Sequence, residues 1–105
     1  MNTKPVFALE AVAADLKAAA DHYGSWRTDG TDQLLRKYEE TVAWIAWNPD
    51  LFGKQFGAVR RAILKDSYYI VYFVQEAERS VVVAVLDGRR DPGEIRKMLR
   101  QRRAK

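Results

Sequence analysis

The sequence contains no cysteine, one histidine and only three prolines in 105 residues. Without cysteine there is no disulfide, no thiol nucleophile, no iron–sulfur cluster and no thiolate zinc site. The lone histidine, His22, excludes a paired-histidine metal motif and leaves a histidine-based triad without a spare partner. No metal and no other cofactor is therefore expected. Long apolar runs are also missing. The longest, Tyr68–Val74 and Val81–Leu86, fall far short of the roughly 18 residues that a membrane span needs. Met1-Asn2-Thr3-Lys4-Pro5 leads into no extended apolar stretch, which predicts no secretory signal. A soluble, cytoplasmic chain with no membrane partner is the expectation. Repeats, low-complexity tracts and Pro/Gly linkers are lacking as well, so residues 1–105 are read as one domain.

What is present is charge, unevenly placed. Residues 1–50 carry five Lys/Arg and eight Asp/Glu, a net of −3, whereas residues 51–105 carry thirteen and six, a net of +7. The chain ends in a dense basic run: Arg96, Lys97, Arg100, Arg102, Arg103 and Lys105. Such asymmetry suits an anionic partner, either nucleic acid or an acidic protein segment.

Periodicity divides the chain. Lys4–Ala8 is a short strand, with Pro5 tolerated at its start. Leu9–Tyr23 is alanine-rich and helical; Leu9, Val12, Leu16 and Tyr23 form a stripe with Ala13, Ala19 and Ala20 beside it. Gly24 stops the helix, and Ser25–Gly30 is a connection. Thr31 or Asp32 caps a second helix that runs to Trp47, with an apolar stripe of Leu34, Leu35, Tyr38, Val42 and Ile45. Asn48-Pro49 ends it, because the residue before proline avoids helical angles. Trp44 and Trp47 lie off that stripe, which makes them candidate contacts for a partner.

The second half changes period. Ala58–Lys65, Tyr68–Glu76 and Ser80–Asp87 are rich in β-branched and aromatic residues, and the short turns Asp66-Ser67 and Ala77–Arg79 predict an antiparallel meander. The last two strands are apolar at both parities, the pattern of strands covered on both faces. Asp91 caps a final short helix, with Pro92 at its first position and Glu94 where a capping box places an acid. Ile95, Met98 and Leu99 are its narrow apolar stripe. The fold class is α+β: N-terminal strand, helical hairpin, three-stranded antiparallel meander and short C-terminal helix.

This order, over nearly the whole chain, resembles the RelE/ParE superfamily of bacterial toxins from type II toxin–antitoxin systems. Ala13-Ala14-Asp15-Leu16 followed by His22-Tyr23 resembles the family's first helix. Ile45-Ala46-Trp47-Asn48-Pro49 resembles the end of its second. Val59-Arg60-Arg61-Ala62 and Tyr69-Ile70-Val71-Tyr72 resemble its middle strands. The most specific piece, Val83-Ala84-Val85-Leu86-Asp87-Gly88-Arg89-Arg90-Asp91-Pro92, is similar to the segment that closes many plasmid-stabilisation, ParE-like members. Asp87 stands where many of these have histidine.

The resemblance implies one of two activities. RelE-like members are metal-free, ribosome-dependent messenger-RNA endonucleases that need a base, an acid and positive charge around the phosphate. By position, only Arg60 on the second strand and Arg90 after the fourth match that set. Tyr69 occupies a position where the family has arginine, and Glu94, Ile95 and Arg96 lie where an acid–base tyrosine would be. A guanidinium keeps its proton near neutrality and makes a poor base. ParE-like members instead inhibit DNA gyrase, and that non-enzymatic reading is the expectation, with Arg60, Arg61, Arg89 and Arg90 as candidate toxicity or target contacts. The alternatives are the RelE-like nuclease acting on ribosome-bound message, and an inactive relative that only binds its antitoxin. The partner implied is a small ParD-like antitoxin with an acidic C-terminal segment, for which Trp44, Trp47, Ile95, Met98 and Leu99 are the candidate contacts.

Overall fold

The computed structural model describes residues 3–25 and 28–104. Its elements are β1 (Val6–Ala8), α1 (Ala11–Gly24), α2 (Gly30–Trp47), a 3-10 turn (Pro49–Leu51), β2 (Lys54–Phe56), β3 (Val59–Ile63), β4 (Tyr69–Gln75), β5 (Ser80–Asp87) and α3 (Pro92–Arg103). The α+β order expected from the sequence is present, with one strand more than the meander. β2 escapes the pattern because Lys54-Gln55-Phe56 carries no β-branched alternation. It is held as a hairpin arm, Phe56 opposite Val59, by a tight turn in which Gly57 has φ +62°, a conformation natural to glycine.

The five strands run in the order β1-β5-β4-β3-β2. β1 is parallel to β5 and the other pairings are antiparallel. The α1–α2 hairpin covers one face. There Val12, Ala19, Ala20, Leu34 and Ile45 pack on Ala62, Val71, Phe73, Val82 and Val85. α3 covers part of the other, where Ile95 and Leu99 pack on Val59, Tyr72, Val83, Ala84 and Leu86. Two-sided burial is the physical reason that β4 and β5 are apolar at both parities. A bulge between Tyr72 and Phe73 in the β4–β5 register turns both Val83 and Ala84 toward α3.

The helices start and pack slightly differently from the sequence expectation. α2 begins one residue early, at Gly30, behind Asp29 rather than Thr31 or Asp32 as cap. The Thr31 hydroxyl instead donates to the Ala20 carbonyl at 3.1 Å, tying the two helices together. Gly30 is required there, since a Cβ would lie 2.2 Å from the Tyr23 carbonyl oxygen. Trp26 and Arg27, in the expected Ser25–Gly30 connection, lie outside the described residues. Leu35, assigned to the α2 stripe by periodicity, is 38% exposed, and Ala13 on α1 is exposed too. Each helix meets the sheet along a narrower line than its apolar residues allow. Asp91 caps α3 as expected, its carboxylate accepting from the Glu94 N–H at 3.1 Å. No helix among the described residues is long and apolar enough to cross a membrane.

Candidate functional site

β5 ends at Asp87, and the chain turns sharply against the start of β4. The Gly88 N–H donates to the Tyr68 carbonyl at 2.7 Å. A Cβ at Gly88 would lie 2.4 Å from Ile70 Cδ1 and 3.2 Å from the Tyr68 carbonyl oxygen, so a larger residue here would have to displace the Ile70 side chain. The turn then locks itself. Asp87 accepts from the Arg89 N–H at 2.9 Å and from its side chain at 3.1 and 2.8 Å. The Arg89 guanidinium lies over the Tyr68 ring, 3.9 Å from its centroid, a cation–π contact. Hydrogen bonding from the Arg89 side chain holds the Asp87 carboxyl below the usual carboxylate range.

Arg90 behaves differently from its neighbour. Its backbone N–H donates to the Asp87 carbonyl at 3.2 Å, and its guanidinium reaches the Met98 sulfur at 3.4 Å. Among the described residues it has no carboxylate partner. Arg89 and Arg90 line a cleft of about 600 Å³ between α1 and the end of β5, together with Asp15, His22, Tyr69 and Asp87. The His22 and Tyr69 rings meet edge-on at 6.3 Å. Burial raises the Tyr69 phenol above its ordinary value. The two carboxylates in the cleft are each matched by an arginine, Asp15 by Arg102 and Asp87 by Arg89. Arg90 is left as net positive charge at its mouth, an arrangement suited to binding an anionic group.

Arg60 and Arg61 do not join this cleft. As strand neighbours they point to opposite faces. Arg60 lies on the helical-hairpin face, where it donates to the Phe52 carbonyl at 2.6 Å and to Asp50 at 3.2 Å. Asp50 is thus its acidic partner. Ala62, the next position on that face, is buried core. Arg61 lies on the α3 face opposite Tyr72, its guanidinium 3.4 Å from the Gln55 side-chain oxygen. Arg60 pairs with Phe73 on β4, whereas Asp87, which leads to Arg90, pairs with Tyr69. That offset is four residues, roughly 13 Å of strand. The two arginines expected to act together in a nuclease are therefore held apart.

The remaining candidates divide by element. Trp44 and Trp47 are 57% and 43% exposed, their rings edge-on at 5.6 Å. They form an aromatic pair outside the core. Ile95 and Leu99 are buried between α3 and the sheet, and Met98 is partly buried beside them. A partner reaches Ile95 and Leu99 only if α3 leaves the sheet. Sequence reasoning missed Asp15 as a group with a task. Its one signal was an acid beside the apolar stripe of an alanine-rich helix, and its partner Arg102 lies 87 residues away.

Comparison with known proteins places the fold. Among solved structures, one described as the chromosomal ParDE TA system from P. aeruginosa is similar with a TM-score of 0.64. The identity is 18%, over 79% of this chain and 94% of that one, a likeness of fold. No curated protein sequence matches. The family profile described as the ParE toxin of type II toxin–antitoxin system, parDE, matches residues 6–92, and the chain belongs to that family.

Proposed function

We propose that this protein is a toxin that inhibits DNA gyrase without catalysing a reaction itself, and that a ParD-like antitoxin with an acidic C-terminal segment neutralises it. The observation that carries the reading is the separation of Arg60 from Arg90. Arg60 is spent on Phe52 and Asp50, while Arg90 stands with Arg89 at the cleft beside β5. In-line attack of a 2′-hydroxyl needs its base, acid and charge within reach of one phosphate, and Arg60, engaged by Phe52 and Asp50, does not line the cleft that holds Arg90. Arg89 and Arg90 remain as charge presented on a loop, where a large partner can meet it. The exposed Trp44–Trp47 pair supplies the aromatic surface on which protein interfaces concentrate their binding energy. The ParDE neighbour among solved structures supports an antitoxin as the partner.

The test is supercoiling by purified gyrase with the protein added, assayed together with message cleavage on translating ribosomes. Inhibited supercoiling, relieved by the antitoxin, is expected. Normal supercoiling with cleaved message would move the assignment to a RelE-like nuclease. Inactivity in both assays, with antitoxin binding intact, would leave an inactive relative.

A further inference from the structure

α3 turns one side to the sheet and the other to solvent. Inward stand Ile95, Leu99 and the Arg102 that meets Asp15. Outward stand Arg96, Lys97, Arg100 and Arg103, all exposed. At roughly 100° and 1.5 Å per residue, these cations fill an arc of about 120° and a length of about 10 Å. Gly93 and Ala104 share that arc, and Glu94, the one acid within the helix, lies outside it. None of the four cations pairs with a carboxylate among the described residues. The helix dipole favours Arg100 and Arg103 in the last turn, but it does not reach Arg96 and Lys97 a turn earlier. Like charges three and four residues apart weaken a helix, so this face gains stability when an anion covers it.

We propose that this face of α3 binds the phosphate backbone of duplex DNA without reading its sequence. The choice of DNA rests on the gyrase reading, because gyrase works on duplex DNA. Duplex DNA carries one negative charge per about 1.7 Å of its axis, a density that suits four cations within about 10 Å. Guanidinium groups match phosphate oxygens in geometry, and phosphate contacts carry no sequence information. Three features favour this ligand over other polyanions. A protein interface needs an apolar centre, and the arc has none. An anionic lipid surface takes up the apolar stripe of an amphipathic helix, but Ile95 and Leu99 are buried against the sheet. Single strands bind by stacking bases on open rings, yet the ring beside the arc, Phe56, lies under the Arg96 guanidinium, 5.4 Å from its centroid.

The probe is a short fluorescent DNA duplex of arbitrary sequence, titrated with the full chain and read by anisotropy. Log affinity should fall against log salt with a slope of about −3 to −4, the value for four phosphates. Arg100→Ala/Arg103→Ala should bring that slope to about −2. Arg100→Glu/Arg103→Glu should bind about tenfold more weakly or worse, and Arg36→Glu on α2 should bind as the parent does; thermal melts confirm that each variant is folded. A duplex of unrelated sequence should bind equally. Undetectable binding at low salt, or equal binding by the charge-reversed variant, would overturn the proposal. A preference for single strands or duplex RNA, or polyglutamate that competes as well as DNA, would overturn it in favour of that ligand. Gyrase inhibition by a protein that ignores DNA would sink the α3 face and leave the gyrase reading standing; DNA binding without gyrase inhibition would do the reverse.

Discussion

Arg102 in the last turn of α3 and Asp15 in α1 are joined by two hydrogen bonds of 2.5 and 2.8 Å across 87 residues of sequence. The pair also finishes an open stretch of sheet. β1 covers β5 only at Ser80–Val82, so the outer edge beyond has no strand. There the Val85 N–H donates to Asp15 at 3.0 Å and Arg102 donates to the Val83 carbonyl at 3.0 Å. Two side chains from two helices do the work of the missing strand, because buried backbone groups need partners. Hydrogen bonding to Asp15 raises the Arg102 guanidinium above its ordinary value.

It follows that Arg102→Ala should cost about 3 kcal/mol, the range for breaking a largely buried ion pair and leaving one charge behind. Asp15→Ala should cost at least as much, since it also strands the Val85 N–H. The two losses should not add in the double variant. Denaturant unfolding measures all three. Amide exchange in 94–103 should quicken in Arg102→Ala, because α3 then rests mainly on the contacts of Ile95, Met98 and Leu99. An additive cycle would remove the pair's role.

Arg89 and Arg90 are both exposed. Changing both to alanine should lower the melting temperature by no more than the Asp87–Arg89 pair contributes, and abolish growth arrest in bacteria. Single changes should separate them. Arg90, which has no carboxylate partner, should carry more of the effect than Arg89, which is engaged with Asp87 and Tyr68. A folded but fully toxic double variant would exclude this loop from target contact.

Asp87 sets a pH dependence. Its carboxyl is held below its ordinary value by the Arg89 side chain. Its contribution to stability is complete above the unfolded value, about 4 for aspartate, and is lost as pH falls through the lower folded value. Melting curves of the parent and Asp87→Asn, taken downward from pH 6, should differ at the start and converge at the acid end. A constant gap across that range would mean that the charge on Asp87 contributes nothing.

Trp47 is outside the core. Trp47→Ala should therefore change monomer stability by less than about 1 kcal/mol, while antitoxin binding should weaken by about 2 kcal/mol if the Trp44–Trp47 pair anchors the contact. With Trp26 and Trp44 replaced by phenylalanine, Trp47 should emit as a solvated indole and quench readily in the free protein. The antitoxin should shift it to the blue. Unchanged emission on antitoxin binding would place the interface elsewhere.

Apart from β2, the sequence alone determined the element order, because the helical segments carry a period of about 3.6 and β3 to β5 are runs of β-branched and aromatic residues. It also determined the turns, where Asn48-Pro49 and Asp91-Pro92 admit few backbone conformations. The two-sided burial of β4 and β5 was readable from their unbroken apolar runs. Tertiary structure decided what no local window holds. β2 became a strand because β3 offered it an edge, not because Lys54-Gln55-Phe56 prefers one. Strand parity put Arg60 and Arg61 on opposite faces, but only the packed hairpin gave the inner face to Arg60 and closed it with Phe52 and Asp50. The cleft around His22, Tyr69 and Arg90, and the Asp15–Arg102 pair, join residues from opposite ends of the chain. Side chains that meet across a sheet leave no mark in sequence spacing, since the chain path between them is set by the whole fold.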